Sequence, residues 1–411
     1  MSDTQPKAVE ANGGSHVQPR GLGVLLWSTG VSALGDGAFV SAAPLLAVAL
    51  TSDPELVAVV WVATYAPWLL VGPFAGALID RCPRRGVLIA ADAVRGVGLA
   101  LLALLVVTGH ANIGVLSAIA FLIVAGQSFA DGASQAVLPS IVGRETGVLT
   151  KQNGRIQSLD TAGRSFLGPP AGSAAFALAP ALPFLADAVS FVASAAILAK
   201  LPQVPRPDNG GKRVSLLADI GDGMRYLFRE RSLVGLACVT GAYNLGYNLA
   251  FATFVLYAKD VLGVFDAGYG LLLVFLAVGG VCGGWIAGHL ATRFAAMTVL
   301  LIAVTGQGAA WSLIALVPSP WLAGPMLAVV GVCSMLVTVA AVSTRQALVP
   351  DHLLGRVVTS FRLIGNGLAV VGAALGGIVA STFGLRGPLD TATGLLAISA
   401  LLMMVVRVRR A

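Results

Sequence analysis

Charge is scarce in this chain. Only 11% of its 411 residues are Asp, Glu, Lys or Arg, against about 25% in a soluble domain. A water-soluble globular enzyme or binding module is thereby excluded. Cysteine and histidine are sparse too, four of each. Cys82, Cys238, Cys282 and Cys333 show no ligand-like spacing, and three of them fall in apolar stretches, which argues against a disulfide framework or a metal site. His16, His110, His289 and His352 are scattered and form no constellation of nucleophile and base, so no enzymatic activity is expected. No nucleotide-binding glycine loop occurs, which leaves ATP-driven transport by this chain alone unsupported, and no cofactor or metal is expected. Acidic residues are fewer than basic ones, giving a net charge of +7. The basic residues sit in short segments between apolar runs rather than on a soluble face, so nucleic acid is not an expected partner.

What the chain has in quantity is apolar sequence and glycine: 57% hydrophobic residues and 50 glycines, a composition suited to helices packing closely in lipid. A helix needs about 20 apolar residues to cross a bilayer. Twelve runs qualify: 22–50, 56–79, 86–108, 112–136, 156–179, 182–200, 233–258, 267–291, 296–317, 321–343, 357–382 and 389–406. The expected fold is an all-α integral membrane protein of twelve transmembrane helices in two pseudo-symmetric six-helix bundles. The expected organisation is a disordered cytoplasmic tail over 1–21, a first bundle over 22–200, a linker over 201–232 and a second bundle over 233–411. In the linker a Pro- and Gly-rich stretch from Pro202 to Gly211 precedes Leu216, Leu217, Ile220, Met224 and Leu227 at helical spacing, which predicts a short amphipathic helix. With both termini in the cytoplasm, 21 of the 26 lysines and arginines fall in cytoplasmic segments, whereas Asp53, Glu55, Asp260 and Asp266 fall outside. This asymmetry orients the chain as a multi-pass protein of the cell membrane.

The two halves echo each other. Gln135 to Pro139 reads QAVLP and Gln346 to Pro350 reads QALVP, 211 residues later, and Gly72 and Gly76 recur as Gly284 and Gly288. Duplicated units of this kind place a binding site between the halves near the midplane.

Ionisable residues inside spans are costly and mark function by default. Asp36 lies near the middle of the first span, with Ser28 and Ser32 at i−8 and i−4 on the same helix face. Burial disfavours a charged carboxylate, which suits a proton carrier; the alternative is a structural Asp bonding a neighbouring helix at Gly35. Gln127, Asp131 and Gln135 repeat that spacing in the fourth span. Asp36 and Asp131 are therefore the proton-coupling candidates. Asp160 and Arg164 stand at i, i+4 and are expected to neutralise each other. Asp187 is expected to anchor helices, and Asp92 and Arg95 to support the basic hairpin that follows the second span. In the second half Tyr243, Asn244, Tyr247 and Asn248, with Arg362 and Asn366, combine apolar bodies with polar groups as a pocket wall does. With Ser32 and Gln127 they are the substrate-cavity candidates.

The hairpin runs Gly72-Pro-Phe-Ala-Gly76-Ala-Leu78-Ile-Asp80-Arg81-Cys-Pro-Arg84-Arg85. It resembles the signature of the major facilitator superfamily between its second and third spans, and Gly284 to Arg293 is a worn copy in which Thr292 replaces the acid. Within the superfamily the chain is similar to the twelve-span macrolide-efflux and enterobactin-exporter group of drug:proton antiporters. Ser32-Ala-Leu-Gly35-Asp36, Asp187-Ala-Val-Ser190-Phe191, Leu348-Val-Pro350-Asp351 and Gly355-Arg356 carry that likeness. The resemblance implies that Gly72, Gly76, Asp80, Arg81, Arg84 and Arg85 form a gating loop locking the halves on the cytoplasmic side. Two departures stand out. Gly154, Gly163, Gly168-Pro169 and Gly172 approximate the glycine-rich fifth-span motif of such antiporters, but the gap before Gly168 is one residue too long. The fourth span also lacks the arginine that many proton-coupled members place there.

These readings converge on a secondary transporter working by alternating access as a monomer. It would export a small organic compound, such as an antibiotic, siderophore or other secondary metabolite, in exchange for protons. Import or facilitated passage of a small metabolite is the alternative within the class. A non-transporting membrane sensor is the alternative outside it, and the short central linker offers such a sensor little output region.

Overall fold

The computed structural model describes residues 19–72, 75, 79, 82–143, 145–202 and 216–408, without side-chain detail for 19–20, 216–219, 351–352 and 405–408. Most of the tail, most of the linker's Pro/Gly stretch, and Gly76, Asp80 and Arg81 of the hairpin lie outside the described residues.

Apolar runs of this length fold as helices because nothing in a bilayer replaces a missing backbone hydrogen bond. The first half comprises α1 (Pro19–Leu50), α2 (Pro54–Leu70), α3 (Arg84–Val107), α4 (Ile113–Val142), α5 (Thr146–Thr161), a π-helical turn (Ala162–Leu167), α6 (Gly168–Leu178) and α7 (Leu182–Leu198). The linker carries α8 (Leu216–Arg229). The second half comprises α9 (Arg231–Phe251), two short turns (Phe254–Leu256 and Tyr257–Val261), α10 (Asp266–Arg293), α11 (Ala296–Leu316), α12 (Pro320–Leu348), α13 (Asp351–Phe383) and α14 (Gly387–Val408). Eight of these helices are long and apolar enough to cross a membrane: α1, α3, α4 and α10 to α14. α2 and α7 are apolar but only 17 residues long. The run 156–179 is divided among α5, the π-turn and α6, and the run 233–258 falls on α9 and the turns after it.

Helix ends follow local chemistry. The Asp53 side chain accepts the Glu55 backbone N–H at 2.9 Å and Asn112 accepts that of Val115 at 3.0 Å, capping α2 and α4. Gly143 and Gly384 stop α4 and α13 at φ 83° and 78°, which suits a residue without Cβ. Several helices outrun their apolar runs at one end of the bundle: α4 continues to Val142, α5 begins at Thr146, α12 continues to Leu348 and α13 begins at Asp351. The backbone ladder does not stop where apolar sequence stops. That end carries most of the basic side chains and is called the basic end below.

The two halves repeat one packing scheme. In the first, α1 packs on α6 and α7, α3 on α4 and α7, and α2 on α4. In the second, α9 packs on α13 and α14, α11 on α12 and α14, and α10 on α12. The halves meet chiefly through α2 with α13 and α6 with α10, pairs that exchange under the same correspondence. α8 lies along the start of α13, with Gly223 against the Arg356 carbonyl, Leu227 buried, and Asp222 paired to Arg356 at 3.0 Å.

Candidate functional site

The site starts from a crossing of glycines. Gly37 of α1 packs against Gly163 and Gly168, where an added Cβ would stand 2.6 Å from the Gly163 carbonyl oxygen. In a regular α-helix two residues five apart point about 140° away from each other. Here the Gly168 N–H donates to the Gly163 carbonyl, the i→i+5 bond of a π-turn, so both glycines face α1. The residue that makes the glycine spacing one too long is absorbed in this turn. The same turn carries Arg164, which reaches across to α1.

Asp36 receives it. Arg164 Nη2 lies 2.8 Å from Asp36 Oδ2, and Arg95 Nη2 of α3 donates to Asp36 Oδ1. Arg95 Nη2 also donates to Gln127 Oε1 at 2.7 Å, and Gln127 Nε2 donates to Asp131 Oδ1 at 2.6 Å. Asp160 stands 3.3 Å from Arg164 and Asp92 3.5 Å from Arg95. The Arg95 guanidinium lies 3.9 Å over the Phe191 ring of α7. Arg95 and Asp36 are both deeply buried, at 2% and 5% exposure. A buried carboxylate without a partner is very costly; two guanidinium groups offset that cost, and each is shared with a second acid. The network thus ties α1, α3, α4, α5 and the π-turn together by charge.

One face of it borders a cavity of about 840 Å³, within the range of small-molecule sites, roughly 300–1,000 Å³. Ser28 and Ser32 of α1, Asp92 and Arg95 of α3, Gln127, Asp131 and Gln135 of α4, and Asp160 and Arg164 line it. All belong to the basic-end portions of the first-half helices.

Of the sequence candidates, the structure brings Ser32, Gln127 and Asp131 into one wall, with Asp36 behind it. Tyr243, Asn244, Tyr247 and Asn248 lie elsewhere. Tyr243 bonds Ser334 at 2.6 Å, Asn244 and Asn248 donate to backbone carbonyls one turn back, and Trp61 of α2 donates to Asn248 Oδ1 at 2.9 Å. Tyr243, Tyr247, Phe251 and Phe254 stack in series, at ring separations of 6.4, 5.3 and 5.5 Å. Arg362 is exposed and Asn366 half-buried, and neither lines the cavity. In the hairpin, Arg84 donates to the Ala136 carbonyl at 2.7 Å and Arg85 to the Ala199 carbonyl, so both hold their own half together.

Two expectations need correction. Arg95 does not support the hairpin; it turns inward to Asp36, because an ion pair is worth more there than in water. Arg164 is not neutralised by Asp160 alone, since Asp36 takes its other contact. Arg95 is the functional candidate that sequence reasoning passed over. Its signal was present: an arginine inside an apolar run, three residues from an acid.

A family profile described as "transmembrane secretion effector", of the major facilitator superfamily, matches residues 22–411. The multidrug efflux pump Tap of Mycobacterium tuberculosis is 26% identical over 382 residues, covering 90% of this chain and 87% of that protein. An uncharacterized MFS-type transporter of the same species is 30% identical over 359 residues, covering 79% and 77%. Among solved structures, the nucleoside transporter NupG superposes with a TM-score of 0.77 at 12% identity, covering 93% of this chain and 99% of that one. A bacterial homologue of the iron transporter ferroportin in its inward-facing state gives 0.76 at 16% identity, covering 94% and 98%. With an all-helical membrane fold, two halves packed alike, and a family match from residue 22 to the last, the chain belongs to the transmembrane secretion effectors of the major facilitator superfamily and is a multi-pass membrane transporter.

Proposed function

We propose that this transporter exports a small organic compound, such as an antibiotic, siderophore or other secondary metabolite, from the cytoplasm in exchange for protons. The single observation that carries the reading is Asp36, held between Arg95 and Arg164 behind the wall of a cavity in an otherwise apolar bundle. Buried ion networks inside a membrane are the recurring hardware of proton-driven carriers. The efflux-pump name of relatives that match nearly the whole chain supports the direction.

On this reading both termini are cytoplasmic, the basic end faces the cytoplasm, and the cavity is loaded from inside. The bundles 22–200 and 233–411 rock about the site within a single chain, joined by the 201–232 linker. Among the described residues, the polar contacts between the halves include three at the opposite end: Trp61 with Asn248, Ser381 donating to Glu55 at 2.6 Å, and Ser173 donating to the Ala267 carbonyl at 3.1 Å. Opening outward breaks these and closes the hairpin of Gly72, Gly76, Asp80, Arg81, Arg84 and Arg85 against the second bundle. Substrate meets Ser32 and Gln127 first. Tyr243, Asn244, Tyr247, Asn248, Arg362 and Asn366 complete its path from the other half. Coupling runs through Asp131, which takes a single amide donor at the cavity wall, and through Asp36, which anchors the arginines.

Reconstituted vesicles with an imposed pH gradient test this. Wild-type protein should move substrate uphill. Asp36→Asn should abolish uphill movement while still exchanging substrate down its own gradient. Undiminished pH-driven export by that variant would remove Asp36 from the coupling path, and net inward accumulation by wild-type protein would reverse the direction.

A further inference from the structure

Asp187 of α7 is a buried acid that the network does not use. Its side chain is fully buried. Oδ1 accepts from the Ser190 hydroxyl at 3.0 Å, and Oδ2 has no partner. It lies flat against Gly35, where any Cβ would collide with it. The charged groups whose fields reach it are Asp36 of α1, Arg95 of α3 and Arg164 of the π-turn, and both arginines are paired to Asp36. Asp36 has two guanidinium partners and Asp187 has none. An ionised carboxylate with one bare oxygen at zero exposure, beside a second carboxylate, is far less tolerable than a neutral acid in the same place.

We infer that Asp187 is the proton-binding site of this state: the proton sits on Asp187 while Arg95 sits on Asp36. The inference rests on the proton-exchange reading for its mechanism but not for the location of the proton. Arg95 already stacks on Phe191, one turn along α7 from Asp187, a displacement of about 6 Å. Its other holders are Gln127 and Asp92, both on or behind the cavity wall. A substrate that binds these groups releases Arg95, which slides along α7 to Asp187 and displaces the proton. Arg164 stays on Asp36, so that carboxylate keeps a counter-ion. Substrate and proton thereby exclude each other through the position of one guanidinium, the negative coupling that exchange requires.

The test is infrared spectroscopy of the protein in lipid nanodiscs, read in the C=O stretching region of protonated carboxyl groups. Asp187→Asn should lose one such band that Asp131→Asn, which leaves the Arg95–Asp36 pair in place, retains. Ser190→Ala, which removes the donor to Oδ1 and keeps the acid, should shift that band to higher frequency. The Ser190 variant keeps the assignment testable if Asp187→Asn fails to fold. A spectrum unchanged in both variants would overturn the assignment, even where pH-driven export by wild-type vesicles is intact. The band losses and shifts as expected, with no pH-driven transport by wild-type vesicles, would instead leave the proton on Asp187 and remove the exchange reading.

Discussion

The two arginines of the network differ in what their loss should do. Arg95 is 2% exposed at the edge of the cavity, and its removal leaves Asp36 short of a partner and Asp92 without its cation. Breaking a buried pair costs about 3–5 kcal/mol. Arg95→Ala should therefore lower the thermal midpoint of detergent-solubilised protein and its folded yield, and Arg95→Lys should recover the yield only in part, because an ammonium cannot reach Asp36 and Gln127 from one planar fork. Arg164 keeps 30% exposure at its side chain, where solvent weakens an ion pair, and Asp36 retains Arg95 without it. Arg164→Ala should fold nearly as well as wild type and fail in pH-driven transport. Equal destabilisation by both alanine variants would contradict this ordering. At this scale Asp36 and Asp131 were legible, because a lone acid in an apolar run announces itself. Their partners were not. Asp36 and Arg95 are 59 positions apart and Asp36 and Arg164 128, and nothing local records a pairing made by helix packing.

At the scale of elements the apolar runs marked where helices lie, since length and composition alone decide that in a bilayer. The ends were less legible. Thr146–Arg155 is polar and was no part of any run, yet it is helical, since α5 begins ten residues before the apolar sequence. The odd glycine spacing read as a departure from an antiporter motif; the structure resolves it as a π-turn, which adds one residue without turning the glycines away from α1. Deleting Leu167, an exposed residue inside that turn, should restore regular α geometry, keep Gly163 and Gly168 on one face, and leave membrane-inserted, monodisperse protein at near wild-type yield. Deleting Ala174 in regular α6 should rotate the preceding face by about 100° and lose the folded protein on size-exclusion chromatography. Equal loss from both deletions would mean that the turn is not a spare residue.

At the scale of the whole molecule the duplication was legible as two short echoes and reappears as matched helix pairings in the two halves. The meeting of the halves was not, because contacts between α2 and α13 or α6 and α10 leave no periodic trace. Orientation is open to a direct check: cysteines placed at Asp53, His110 and Ala267 should react with an impermeant reagent from outside intact cells, and those at Pro83, Asn209 and His352 should not. Labelling at Asn209 would invert the topology. The closed end has few polar ties, so each one matters. Trp61→Phe removes one hydrogen bond, about 0.5–1.5 kcal/mol, and should raise the population open at that end roughly 2- to 13-fold, seen as a longer distance between spin labels at His110 and Arg386. Trp27, Trp285 and Trp321 point outward, and Trp311 is sealed in the core, so their surroundings stay constant as the halves move; Trp68, half-buried on α2, is replaced by Phe so that its signal does not mix with that of Trp61. The Trp61 indole straddles the seam and stacks on Phe251 at 5.2 Å; when the halves part it exchanges an aromatic neighbour for water. The protein thereby carries a built-in optical reporter, whose emission should shift to the red with each outward opening and fall silent in Trp61→Phe.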